Sequence, residues 1–140
     1  MRQILLFAAL AASLALLSGC ALSKTKADTA EDMTGKAAYH KISAEEAYEM
    51  MASQEVVVVD VRTREEYDGG HIENAILVPN ESIGSGMPEA LPDKEATLLI
   101  YCRSGRRSKD AAEKLLALGY QSVYDFGGVI DWPYELVKEG

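Results

Sequence analysis

The chain has little with which to hold a metal. Its 140 residues include two histidines, His40 and His71, and two cysteines, Cys20 and Cys102. These stand far apart, with none of the short spacings that metal ligands show. Neither a metal nor a cofactor is expected. Basic charge is also scarce. Fourteen Lys and Arg face twenty-two Asp and Glu, for a net charge of −8. That balance disfavours nucleic acid and non-specific adhesion to anionic lipid. Long apolar runs are missing as well. The longest, Ile4 to Leu17, has fourteen residues, short of the roughly 20 needed to span a bilayer. No internal repeat is visible, and the length suits one domain, with a monomer as the default state.

That apolar run follows Met1 and Arg2 and ends in Leu-Ser-Gly-Cys, Leu17 to Cys20. A short positive start, an apolar stretch and small residues read as a signal peptide over residues 1–19. Leu-Ser-Gly-Cys resembles a bacterial lipobox. The resemblance implies cleavage before Cys20 and lipidation of that cysteine. The plainer alternative is an ordinary signal peptide cut nearby, with Cys20 incidental. The cysteine directly follows the small residues, which favours the lipobox. Each acyl methylene contributes about 0.8 kcal/mol, so two or more chains would hold the protein on a membrane. Ala21 is not the aspartate of an inner-membrane retention signal. The expected location is therefore exported and lipid-anchored to the bacterial cell envelope, at the outer membrane facing the periplasm if there are two membranes. Residues 20–38 carry Leu22 and Met33 as their only large apolar side chains. Such a segment cannot bury a face and reads as a flexible tether, leaving 39–140 as the folded domain.

Regular patterning begins at Tyr39. Residues 39–42 suit a short strand. Ser43 and Glu46 have capping-box spacing and open a helix to Ser53. Glu55 to Val61 includes four consecutive valines, apolar on both faces, as a central parallel strand requires. Thr63 and Glu66 form a second capping box, for a short helix that stops at Gly69-Gly70. A short strand at residues 75–78 ends at Pro79, and residues 80–91 read as a broken helix or loop. Thr97 to Tyr101 is another apolar strand. Ser108 to Leu118 has apolar residues at helical spacing, with Gly119 as a stop signal. Ser122 to Phe126 reads as the last strand and Tyr134 to Glu139 as a terminal helix. Strands alternating with helices predict an α/β domain with a parallel sheet.

Between the strand at 97–101 and the next helix lies Cys-Arg-Ser-Gly-Arg-Arg-Ser, Cys102 to Ser108. A strand, a sharp loop and a helix aim backbone N–H groups at whatever the loop encloses, and the helix start adds partial positive charge. Arg103, Arg106 and Arg107 add full charges. Both effects favour thiolate over thiol. An unperturbed cysteine, with a pKa near 8.5, is only a few per cent ionised at neutral pH. If Cys20 carries lipid, Cys102 has no cysteine to pair with, and such a leftover thiol in an exported chain reads as reactive. The alternative is an inert core cysteine beside a solvated basic helix start. Four residues separate Cys102 from Arg107. Cysteine phosphatases place five between cysteine and arginine, and here that position holds Ser108. The shorter loop closes a smaller ring of donors, suited to a terminal sulfur atom better than to a tetrahedral phosphate.

Four segments, in order, resemble the rhodanese family. They are Val-Asp-Val-Arg at Val59 to Arg62, Glu-Tyr-Asp-Gly-Gly-His-Ile-Glu-Asn-Ala at Glu66 to Ala75, the cysteine loop itself, and Gly-Gly-Val-Ile-Asp-Trp at Gly127 to Trp132. The resemblance covers the chain from about Tyr39 onward. It implies a rhodanese-like α/β fold, with a central five-stranded parallel sheet flanked by helices and the cysteine loop at the sheet's C-terminal edge. It further implies sulfur transfer through a Cys102 persulfide. The donor would be a small sulfur-containing anion such as thiosulfate, and the acceptor a thiol, cyanide or a protein. The loop residues Arg103, Ser104, Gly105, Arg106, Arg107 and Ser108 would hold the persulfide, with Arg107 and Arg103 favoured over Arg106 for the donor.

Asp60 and Arg62 read as a structural charge pair that orients the loop. His71, in its Gly-Gly-His-Ile turn, reads as an architectural histidine, His40 as a surface residue and Trp132 as a core plug. The competing function is a non-catalytic sulfide or redox sensor, or a protein-binding module on the same fold. Fold alone does not choose between these.

Overall fold

The computed structural model describes residues 37–138. The expected signal peptide, Cys20 and nearly all of the expected tether lie outside them. Five parallel strands form one sheet: β1 (Ala38–Lys41), β2 (Val57–Asp60), β3 (Ile76–Leu77), β4 (Thr97–Cys102) and β5 (Ser122–Gly128). Their spatial order is β1-β5-β4-β2-β3. Three helices connect them: α1 (Ala44–Ser53), α2 (Arg64–Asp68) and α3 (Arg106–Ala117). Ala38, the last tether residue by sequence, is the first residue of β1.

The sheet is apolar on both faces because both are covered. β4 shows how its residues divide. Leu98, Ile100 and Cys102 face one core with Val59, Val61, Ala111 and Leu115, under α3. Leu99 and Tyr101 face the other with Ala47, Tyr67 and Phe126, under α1 and α2. Side chains alternate along a strand, so Cys102 is committed to the α3 face by its register.

Both capping boxes form as the sequence predicts. Ser43 Oγ accepts from the Glu46 N–H, and Glu46 accepts from the Ser43 N–H. Thr63 and Glu66 make the same reciprocal pair. Residues 80–91 contain one 3-10 turn, Asn80–Ser82, and otherwise loop.

Two expectations fail. The third helix starts at Arg106, not Ser108. Gly105 adopts φ 98° and reverses the chain in one residue, a left-handed conformation costly for any side chain. Two arginines are thereby drawn into the helix's first turn. The terminal helix from Tyr134 does not form over the described residues. Tyr134 instead stacks on Tyr48 at 3.9 Å. The chain then pairs antiparallel with His71 through two backbone bonds, His71 N–H to the Val137 carbonyl at 2.9 Å and Val137 N–H to the His71 carbonyl at 2.8 Å. Six residues pay a high nucleation cost as a helix, and pairing with a fixed turn satisfies the same backbone groups.

Candidate active site

Cys102 ends β4, and the six-residue span to Arg107 folds back over it. The residue is 1% exposed. One side of its side chain packs in the α3 core. The other faces the loop, where the Gly105 N–H donates to Sγ at 3.1 Å. Burial pushes the thiol pKa up. The Ser108 N–H and hydroxyl and the Gly105 and Ser104 N–H groups outweigh it, and the net direction is down. A buried thiol that receives a backbone N–H has a donor in place for its anionic form. The Ser108 hydroxyl also lies 3.0 Å from the Gly105 carbonyl and 3.4 Å from the Gly127 carbonyl. Its single proton serves one acceptor at a time.

The arginines separate into two kinds. Arg103 and Arg106 are exposed. Arg107 is not free: its Nη1 and Nη2 donate to Glu66 Oε2 and Oε1 at 2.7 and 2.8 Å. This bidentate pair is the strongest geometry available to the two groups. The Arg107 hydrogen bonds hold the Glu66 carboxyl down at about 2; partial burial opposes this, and the Thr63 bonds add to it. Glu66 therefore caps α2 and ties the cysteine loop to it. Beside the loop, Asn80, Glu81, Arg106, Arg107 and Asp110 line a cleft of about 420 Å³. Asn80 Nδ2 donates to Asp110 at 2.8 Å, and Lys114 pairs with Asp110 at 2.8 Å.

The floor of the loop comes from β5. Its pairing with β4 slips by one residue, so that Ile100 faces Asp125 while Tyr101 faces Gly127. Phe126 is the extra residue, a bulge of the kind that re-aims a strand. Asp125 is 1% exposed. It accepts the Gly127 N–H and the Tyr39 hydroxyl, each at 2.9 Å, with Lys41 at 3.4 Å. Gly128 then lies so close to the loop that an added Cβ would meet Ser104 Cα at 2.6 Å and collide with the Arg103 carbonyl. The sequence marks Gly127-Gly128, but neither Asp125 nor Glu66 carries a local signal of its role here.

Asp60 and Arg62 stand one strand away, both buried. Arg62 donates to both Asp60 oxygens, at 2.6 to 3.0 Å, and to the Gly70 carbonyl at 2.8 Å. The Tyr101 hydroxyl donates to Asp60 Oδ2 at 2.6 Å and accepts the Ile72 N–H at 3.1 Å. The pair thus fixes the 70–72 turn and bears on the cysteine loop through Tyr101, the residue before Cys102. His71 is buried, stacked on Tyr67 at 3.7 Å, with Nδ1 3.0 Å from the Tyr67 carbonyl. His40 is half-buried and stacks on Tyr124 at 4.5 Å. Trp132 packs on Phe126 at 5.6 Å.

Residues 43–133 match the rhodanese-like domain. This chain belongs to the rhodanese-like family. Among solved structures, a rhodanese-like domain protein from Staphylococcus aureus is 33% identical, with a TM-score of 0.62. It covers 72% of this chain and 99% of its own. A human single-domain sulfurtransferase is 28% identical, with a TM-score of 0.58, over 66% of this chain and 93% of its own. Among curated relatives, the tRNA uridine(34) hydroxylase of Yersinia pestis (strain Pestoides F) is 32% identical over 106 residues, 72% of this chain and 30% of that protein. The chain thus spans about a third of the length of that relative. The rhodanese-like relatives include sulfurtransferases and this tRNA hydroxylase.

Proposed function

We propose that this rhodanese-like protein is a sulfurtransferase that carries a sulfane sulfur on Cys102. The carrying observation is the Gly105 N–H aimed at Cys102 Sγ, with the net field of the loop favouring thiolate. In the first step the thiolate attacks the outer sulfur of thiosulfate. The sulfur–sulfur bond breaks, and sulfite leaves with the electron pair. Cys102 then carries a persulfide whose terminal sulfur holds the negative charge, stabilised by fixed donors that need no reorganisation. In the second step a thiolate or cyanide attacks that terminal sulfur. Cys102 leaves as thiolate, and the acceptor becomes a persulfide or thiocyanate. Exposed Arg103 and Arg106 are the cations open to a donor anion, while Arg107 holds the loop in shape.

Incubation with thiosulfate is expected to add one sulfur atom by intact mass, and cyanide is expected to remove it. Cys102→Ser should abolish both the mass change and thiocyanate formation while leaving the circular dichroism spectrum unchanged. A folded protein that gains no sulfur would instead fit the sensor or binding-module reading. A nucleic-acid substrate is not proposed, because the net charge of −8 opposes polyanion binding. Export and lipidation at Cys20 belong to the same proposal. They rest on the sequence; labelled palmitate that fails to appear on the protein would remove the lipidation, and an uncleaved protein retained inside the cell would remove the export.

A further inference from the structure

Asp125 is a buried carboxylate that the two sulfur-transfer steps do not use. A charge so placed is costly unless donors meet it. Three do. The Gly127 N–H and the Tyr39 hydroxyl each donate at 2.9 Å, and Lys41 Nζ stands at 3.4 Å. Two of the three come from β1. Lys41 is the register partner of Asp125, and Tyr39 lies two residues earlier, on the same face of the strand. Partial burial, followed by the Asp125 bond, pushes the Tyr39 hydroxyl pKa up to about 12, so it remains the donor of the pair at neutral pH.

The third donor leads towards Cys102. Gly127 adopts φ 90°, and the bond from its N–H to Asp125 holds the chain in that turn just past the bulge. The cysteine loop rests on the turn at three points. Gly127 Cα lies behind Gly105, where an added Cβ would meet it at 3.6 Å. The Gly127 carbonyl is 3.4 Å from the Ser108 hydroxyl. The Gly128 backbone leaves no room for a Cβ beneath Arg103 and Ser104. Gly105 donates its N–H to Cys102 Sγ at 3.1 Å, and Ser104 and Ser108 turn donors toward the same sulfur. We propose that Asp125 is a positioning residue for Cys102: anchored by Tyr39 and Lys41, it fixes the Gly127-Gly128 turn on which the donors to the thiolate rest. It acts through geometry and not through its own field. A second negative charge near a thiol raises its pKa, whereas well-placed donors lower it, so the two routes differ in sign. The inference rests on the thiolate chemistry proposed for Cys102. Its readout, the ionisation of that thiol, needs no sulfur transfer. A wild type that gains no sulfur would remove the sulfurtransferase reading and leave this test standing.

The full-length protein is alkylated with iodoacetamide across a range of pH, and the rate is read on the peptide that carries Cys102. Tyr39→Phe loses one anchor and leaves the carboxylate in place. It is expected to raise the half-point of the profile by about half a unit and to lower kcat for thiosulfate about fivefold. Asp125→Ala should raise the half-point further; if that variant fails to fold, Tyr39→Phe carries the test. Asp125→Asn keeps an acceptor for the Gly127 N–H and should restore the wild-type half-point. His40→Ala is the control. His40 lies between Tyr39 and Lys41, on the opposite face of β1, and stacks on Tyr124 at 4.5 Å. Its loss should lower stability in urea and leave the half-point where it was. The proposal is overturned by an unmoved half-point in Tyr39→Phe, or by an equal rise in His40→Ala. A half-point that falls in Asp125→Asn would overturn it too, because the carboxylate would then be acting through its charge.

Discussion

The two capping boxes are the same device in different surroundings. Ser43 with Glu46 and Thr63 with Glu66 satisfy the same helix-end N–H groups by the same reciprocal bonds. The first box stops there, with its bonds exposed. The second continues: Glu66 also receives the Arg107 guanidinium from 41 residues away. One glutamate therefore shapes a helix end, while the other shapes a helix end and the loop around Cys102. A local motif fixes local structure, and what lies across from it in the fold decides whether it bears on chemistry.

The largest test of that difference exchanges each glutamate for glutamine. Glu66→Gln removes a negative charge from beside Arg107 and loosens the tie between loop and α2. The loop becomes more positive but less fixed. We expect kcat for thiosulfate to fall about tenfold, in line with the cost of misplacing a reacting group. KM for the dianion should stay constant or fall, since the freed guanidinium can meet it. Merely reduced folding would lower kcat alone through the active fraction and leave the pH profile of the survivors unchanged. Glu66→Gln should instead move the alkylation profile of Cys102. The matching Glu46→Gln should leave both constants within twofold. Equal effects from the two variants would break the comparison.

Cys102 itself sharpens it through size. The thiol is 1% exposed under a loop that Arg107 and Glu66 hold closed. Iodoacetamide should modify it several-fold faster than a bulky aryl maleimide, despite the maleimide's greater intrinsic reactivity toward thiolates. Glu66→Gln should narrow that gap, and Glu46→Gln should not. Rates followed by intact mass decide this, and a gap unaffected by Glu66→Gln would place the barrier in the core packing instead.

Much of this was legible in the sequence because the deciding interactions are short-range. Consecutive valines and the 97–101 run mark β2 and β4, four residues each suffice for both capping boxes, and the strand-loop-helix order points to a backbone N–H aimed at Cys102. Other features depend on contacts between distant residues. The Glu66 and Arg107 pair, and the Asp125 bonds that set the β5 bulge beneath Gly128, involve partners that no local window contains. Spacing places the start of α3 two residues late, because the conformation of Gly105 leaves no trace in it. From Tyr134 onward, helical propensity in a short segment loses to a stack on Tyr48 and a backbone pairing with His71.

Acid should weaken the second box in a defined window. The Glu66 carboxyl sits at about 2 in the folded protein, against an ordinary value of 4.5. A carboxyl depressed by folding stabilises the fold above its unfolded pKa, and that stabilisation disappears as pH falls through the folded value. Screening limits the partly buried pair to about 1 kcal/mol at neutral pH. The stability difference between the wild type and Glu66→Gln should therefore be constant from neutrality to about pH 5, then close towards pH 2. Urea melts at a series of pH values measure it. A difference that persists at the acid end would assign the effect to lost packing instead of charge.

The smallest effect concerns the caps alone. Ser43→Ala and Thr63→Ala each remove one side-chain acceptor from a helix N-terminus, worth about 1 kcal/mol. For a domain of this size that lowers Tm by about 4–8 °C. The two variants should be close in stability, because the lost bond is the same. They should part in activity. Thr63→Ala removes the acceptor of the Glu66 backbone N–H and so loosens the α2 start from which the carboxylate projects, while the carboxylate keeps its bonds to Arg107 and the residue-63 N–H. A modest fall in kcat, about two- to threefold, is expected from that looser anchoring. Ser43→Ala has no route to the loop and should turn over at the wild-type rate well below its Tm. Matched thermal melts with unmatched turnover would show that the first box serves its helix alone and the second also serves Cys102.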